Sequence, residues 1–334
     1  MTADVEAQVA QDATAGDVPG VPLVHRAGDA ELLAARLVPR RKPGQWISAA
    51  IVLVVVALVI RSLVTNPRYQ WDVVRHFFLR PSILEGLLLT LWLTAAVLVV
   101  SYVIGIGLAV MRLSGNPVLK TVSFVYVWLF RSVPPLVQLL FWFELASLYP
   151  RLSLGIPGVK TFATVDTAHL FTALLAAFVG LTFDMAAFSS EIVRGGLLSV
   201  EPGQTEAAKA LGLGKGRIFR RIVLPQAMPA IIPASGNLLI GLLKATSIVS
   251  VIAVHDLLQS VKLIYAQNYL IIPLLLVATI WYIVLTTILS IGQYFVERHY
   301  ARGKGGSSGR GFWQVARGNV PLFGRTRQDL AGIA

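Results

Sequence analysis

The hydrophobic pattern of this chain changes on the scale of whole segments rather than single residues. Six apolar stretches, roughly 46–64, 86–111, 121–148, 168–190, 229–253 and 270–296, reach or approach the ~20 residues that a helix needs to cross a bilayer. They predict an all-α polytopic transmembrane helical bundle with six crossings. Residues 1–45 show no sustained periodicity and predict a disordered arm ahead of a first spanning helix at 46–64. The connection 191–228 is too polar to be embedded and too rich in helix formers to be a plain linker, so it predicts a small folded element between the fourth and fifth crossings. Residues 299–334 form a basic tail.

Composition supports lipid as the solvent. Of 334 residues 55% are hydrophobic and only 14% charged, with a mean hydropathy of +0.70. A soluble domain keeps about 25% charged residues for its surface. The net charge of +12 is distributed between the apolar runs and in the tail, which argues for the positive-inside rule over a nucleic-acid-binding face. One set of flanks carries Arg36, Arg40, Arg41 and Lys42, then Arg112 and Lys120, then Arg194, Lys209, Lys215, Arg217, Arg220 and Arg221, then Arg298, Arg302, Lys304 and Arg310. These predict a cytoplasmic side that also holds both termini. The first outer loop, with Arg61, Arg68, Arg75 and Arg80, is the exception to the contrast. Arg40-Arg41-Lys42 precede the first apolar run deep in the chain, so that run is expected to stay as a spanning helix rather than act as a cleaved signal.

Polar residues inside apolar runs are costly and need a reason. Arg131-Ser132-Val133-Pro134-Pro135 interrupts the third run, and two prolines free carbonyls that hydrocarbon cannot satisfy. Arg131, Glu144, Asp184 and Lys244 each have two readings, a polar translocation path or structural pairing and snorkelling. Arg131 is expected to bond the freed carbonyls, Asp184 to lie near a helix end and Glu144 to reach the outer interface. Lys244 is placed mid-span beside Thr246 and Ser247, and with Gln138 and Glu144 these are the substrate-path candidates. Glu191 and Arg194, three apart, read as a surface pair. Trp46, Trp71, Trp142 and Trp281 read as interface anchors, and Gly105 and Gly107 as packing faces. Cysteine is absent, the five histidines build no zinc spacing, and no catalytic or nucleotide-binding motif is assembled, since Gly214-Lys215-Gly216 lacks the hydroxyl residue of a phosphate loop.

The densest signal lies in residues 201–225. Pro202-Gly203-Gln204-Thr205 starts a helix, with Glu206 expected in its first turn. Ala207, Ala208 and Ala210 leave a low-relief surface, and Gly212, Gly214 and Gly216 permit a redirection of the chain. Arg217, Phe219, Arg220 and Arg221 then set an aromatic anchor amid positive charge. The spacing Glu206-Ala207-Ala208, three residues, Gly212, nine residues, Ile222, one residue, Leu224-Pro225 resembles the cytoplasmic "EAA" coupling signature of ABC importer permeases. Gly86-Leu87-Leu88-Leu89-Thr90-Leu91, Arg131 through Gln138, Ala187 through Gly196 and Leu243-Lys244-Ala245-Thr246-Ser247 are similar to the polar amino acid branch, which serves histidine, glutamine, glutamate, arginine and opines. The branch has Lys-Asp-Thr-Ser-Leu at the last of these, where this chain has Ala245 and Ile248.

The resemblance covers about residues 82–298 and implies a five-helix type I importer core, to which the first helix is an addition. It implies that the loop docks on a separate ATPase that binds ATP and Mg²⁺, so that this chain is not itself an enzyme and holds no cofactor. It further implies a second permease copy or homologue, an extracytoplasmic solute-binding protein, and alternating access in the cell membrane. An opine, ectoine or a sulfur-containing amino acid is an alternative solute. A channel or scaffold without energy coupling is the rival class.

Overall fold

The computed structural model describes residues 43–156 and 160–301. The predicted arm up to residue 42 and the tail beyond residue 301 lie outside the described residues. The chain divides into two units, Met1–Asn66 and Pro67–Ala334. The first contains α1 (Pro43–Thr65), whose stretch Trp46–Thr65 is long and apolar enough to cross a membrane. It has apolar side chains all round and no polar stripe, and they are exposed along its length, so its natural surroundings are acyl chains.

The second unit opens with a 3-10 turn at Pro67–Tyr69, α2 (Trp71–Phe78) and the long α3 (Pro81–Leu113), which Pro81 starts from the first helical position. Asn116 caps α4 (Pro117–Ser132) by accepting a hydrogen bond from the Val118 N–H. The chain then bends by 100° into α5 (Pro135–Phe143), followed by the single turn α6 (Leu145–Leu148). Strands β1 (Arg151–Ile156) and β2 (Lys160–Asp166) pair antiparallel, with Arg151 opposite Asp166 and an irregularity between Leu154 and Gly155. No strand was expected in this connection. A short α7 (Thr167–Leu170) leads to α8 (Ala173–Leu198), capped by Thr172.

Beyond α8 come α9 (Pro202–Ala210), α10 (Lys215–Ile218), a π-helical turn (Phe219–Val223) and α11 (Leu224–Ala245), which ends in a 3-10 segment (Thr246–Ile252). Finally α12 (Leu257–Asn268) precedes α13 (Ile271–Ala301). Each crossing reverses the chain. The start of α3, the hairpin and α12 therefore lie at one end of the bundle, and the α9–α10 region at the other.

Three expected boundaries shift. The fourth crossing continues through Glu191 to Leu198, so these residues belong to α8 and not to the polar connection. Asp184 is consequently mid-helix rather than near an end. The fifth crossing starts earlier than residue 229 because Pro225 sits in the first turn of α11, where a missing N–H costs nothing. The helix proper ends at Ala245, with Lys244 in its last turn, and the crossing continues beyond it as the 3-10 segment to Ile252.

Two apolar clusters hold the unit together. One joins Leu93, Val97, Leu139, Ala176, Leu181, Met185 and Leu242, and the other joins Val74, Ile83, Leu87, Leu243, Leu257, Val261 and Leu274. Lipid tails are as apolar as leucine, so association in a bilayer depends on close packing at small residues. Gly105 of α3 meets Ser189 and Ser190 of α8, Gly86 of α3 meets the backbone of Asp256, and Gly196 of α8 meets Ile231 of α11. Gly107, expected to pack like Gly105, faces open space. Ser189 donates to the Ser101 carbonyl at 2.9 Å, and Ser123 donates to that of Leu108 at 2.8 Å, so hydroxyls bond across the seams. Trp281 is not a simple interface anchor. Its ring stacks on Phe78 at 4.7 Å and its N–H donates to the Phe78 carbonyl at 3.0 Å, clamping α13 to α2.

Asp256, fully buried, caps α12 by accepting from the N–H groups of Leu258 and Gln259. Burial pushes its carboxyl up to about 6, and the two backbone donors with Lys262 oppose that rise only in part. Tyr282 is the other titratable group beside it. A raised carboxyl binds its proton in the native state at a pH where the unfolded chain does not, so stability rises as pH falls from about 7 toward 4. Asp256→Asn keeps a capping side chain without the charge. It is expected to flatten this slope and to match or exceed the wild type at pH 8, as thermal unfolding of the full chain across that range will measure.

Candidate functional site

The α9–α10 region is a knuckle held by its own backbone. Leu211 ends α9, Gly212 enters the left-handed region at φ 74°, and the N–H groups of Gly212 and Leu213 donate back to the carbonyls of Lys209 at 2.9 Å and Ala208 at 3.1 Å. This is a Schellman ending, and a side chain at Gly212 would cost about 1–2 kcal/mol of backbone strain even though nothing lies within contact of a Cβ there. The chain leaves extended through Gly214 into α10, and Ile218 is buried at 4% exposure. From there the π turn runs into α11 with helical backbone at every junction, so α10 and the crossing are continuous.

Glu206 stands in the second turn of α9, not the first as expected, because Glu201 is the cap and Pro202 the first helical residue. It is exposed, as are Ala207, Lys209, Ala210, Arg217, Arg220, Arg221 and Pro225. Leu211 is 81% and Phe219 44% exposed, so the knuckle presents apolar groups among cations. Ala208 turns inward at 3% exposure and Leu224 is half-buried, so Ala208 supports this surface rather than forming part of it. The arrangement is an exposed, self-braced element that presents apolar groups and cations together.

The break between α4 and α5 has its own brace. Pro134 leaves the Phe130 carbonyl without its helical donor, and the Gln138 amide, four residues past that proline, donates to it and to the Val133 carbonyl, both at 2.8 Å. The same amide reaches Asp184 Oδ1 at 3.3 Å, tying the break to α8. Arg131 does not bond the freed carbonyls as expected. Its guanidinium lies 5.2 Å from the Phe188 ring centroid, within electrostatic reach of Glu191. Pro135, at the first position of α5, completes the corner. Glu191 is paired to Arg194 at 2.6 Å, and both side chains are largely covered, so they are more than a surface pair.

Of the path candidates, Lys244 and Ser247 line a cavity of about 400 Å³ together with Thr279, Tyr282, Ile283 and Thr286 of α13. The others do not join them. Thr246 is fully buried and donates to the Leu243 carbonyl at 2.6 Å, Gln138 is the brace just described, and Glu144 is exposed at the α5–α6 junction, where Ser147 donates to it at 2.7 Å. The α13 wall was missed by reading the sequence, although Thr279, Tyr282, Ile283 and Thr286 follow the helical spacing of a single stripe. Ser247, Thr279 and Thr286 each donate to a backbone carbonyl, which leaves their lone pairs facing the cavity as acceptors. Lys244 supplies the donors and the positive charge.

A bundle of broken and small-residue-packed crossings, with a rigid knuckle at one end and a polar cavity between α11 and α13, defines a membrane transport subunit. Residues 101–302 match the family described as binding-protein-dependent transport system inner membrane component, and the chain belongs to that family, the permease subunits of ABC importers. Among its relatives is the arginine transport system permease protein ArgU of Corynebacterium glutamicum, 42% identical over 79% of this chain and 83% of that one. The nopaline transport system permease protein NocM of Agrobacterium fabrum is 32% identical over 68% of this chain and 93% of its own length. A crystal structure of an amino acid ABC transporter with histidines superposes at a TM-score of 0.56, with 32% identity over 66% of this chain and 94% of that chain. The MetNI methionine transporter, at 22% identity and a TM-score of 0.54, shares the fold.

Proposed function

We propose that this permease moves a polar amino acid into the cell, driven by a separate ATPase that grips the knuckle at residues 201–225. The knuckle carries the reading. It is exposed and braced internally, and its second half continues with helical backbone into α11, so a push on it is passed along that helix toward the Lys244 cavity. ATP and Mg²⁺ belong to the partner on this reading, in line with the missing hydroxyl residue after Gly214-Lys215-Gly216. The knuckle end and both termini face the cytoplasm, in line with the basic flanks. A second permease copy or homologue completes the path, and an extracytoplasmic binding protein delivers the solute to the hairpin end. Amino acid transport is supported by relatives named as amino acid permeases that match most of this chain.

The docking role has a direct test. Glu206→Arg reverses an exposed charge without touching the core, and Gly212→Leu strains the turn that sets the knuckle's shape. Both variants are expected to lose the ATPase on affinity purification and to abolish uptake, while Glu206→Arg leaves the thermal stability of the permease within about 0.5 kcal/mol of wild type. Retained ATPase and normal uptake in both would overturn the assignment.

A further inference from the structure

A second polar cavity, of about 450 Å³, opens at the hairpin end of the bundle between the start of α3 and α12. Arg80, Glu85 and Leu89 line it from the α3 side, and His255, Ile264 and Gln267 from the α12 side. The two sides are held close because Gly86, which also lines it, lets the α3 backbone press against the start of α12, where a Cβ would lie 2.7 Å from the Asp256 carbonyl oxygen. Arg80 is held over the Phe77 ring at 5.1 Å, which orients its guanidinium without consuming its N–H donors. Among the described residues neither Arg80 nor Glu85 forms an ion pair, although they bear opposite charges and face one space. A guanidinium suits a carboxylate in a two-pronged contact, and a carboxylate suits an ammonium or guanidinium. Two unlike charges that line one cavity without pairing match a ligand that carries both signs.

We propose that this cavity is a receiving site for a zwitterionic amino acid, separate from the Lys244 cavity, with Arg80 on the α-carboxylate and Glu85 on the cationic end. The proposal rests on the amino acid importer reading. It adds that the membrane subunit itself recognises the solute at the end where the binding protein would release it.

The full chain in lipid nanodiscs, without receptor or ATPase, is titrated with L-arginine and with agmatine, which lacks the carboxylate. Wild type is expected to bind L-arginine. Glu85→Gln should weaken both ligands about tenfold or more, whereas Arg80→Gln should weaken L-arginine by that factor and leave agmatine unchanged. A merely structural role would move the two ligands together in both variants. No binding of L-arginine, L-glutamine or L-histidine by wild type, or equal effects of Arg80→Gln on L-arginine and agmatine, would overturn the site. ATP-driven uptake in cells is measured in parallel. Uptake that persists with unaltered binding in both variants removes this site and leaves the importer reading standing, while absent wild-type uptake removes that reading.

Discussion

Gln138→Leu is expected to destabilise the protein by about 3–5 kcal/mol, measured as a fall in the thermal unfolding midpoint of the detergent-solubilised chain. The side chain is 5% exposed, so leucine fills the space and the loss is one of hydrogen bonding. Two carbonyls at the break, those of Phe130 and Val133, lose their donor, and each buried unsatisfied group costs about 1–3 kcal/mol. Asp184, 2% exposed and with Oδ2 already without a hydrogen-bond partner among the described residues, loses the amide at Oδ1. A double-mutant cycle separates these contributions. Asp184→Leu in the Gln138→Leu background should cost less than it does alone, with a coupling of about 1–3 kcal/mol. Strict additivity would mean that the contact between the break and α8 contributes nothing.

Gly105→Leu carries the second large effect. A Cβ there would collide with Ser189 Oγ and stand 2.9 Å from the Ser190 backbone nitrogen. Ser189 can rotate away, but the backbone of α8 cannot. The seam between α3 and α8 must then open along its length, giving up the Ser189 bond to Ser101. Overpacking costs about 1–3 kcal/mol where neighbours can yield, and a leucine against backbone belongs at or above the upper end. The variant should show a lowered unfolding midpoint and little uptake. Gly107→Leu, two residues along and facing open space, should stay within about 0.5 kcal/mol of wild type. Equal losses in the two variants would show that the seam is not the reason.

These two sites mark what could be read in advance. The crossings were legible because bilayer thickness imposes a long apolar run that few other structures need. The knuckle was legible because Gly212 must occupy a left-handed turn and its neighbours must cap each other, which constrains identity and spacing together. The bracing role of Gln138 was not legible because its partners, Phe130, Val133 and Asp184, meet only after the 100° bend. Asp184 was misplaced because charged residues such as Glu191 and Arg194 sit on the extension of a spanning helix, where composition resembles a loop. The hairpin was missed because Gly155, Pro157 and Gly158 punctuate its short apolar stretches. The Tyr282 wall of the cavity was hidden inside a run whose average hydropathy dominates any single stripe.

The unbroken run from Lys215 to Ile252 covers 38 residues, about 55 Å at helical rise. Near its midpoint Gly236 lets Gln293 of α13 lie against the axis, while Pro229 and Pro233 weaken the ladder on the knuckle side. Such a beam resting on Gly236 has arms of unequal length, 17 residues to Phe219 and eight to Lys244. A shove of a few ångströms given to Phe219 would return beside Lys244 with opposite sense and about half the size.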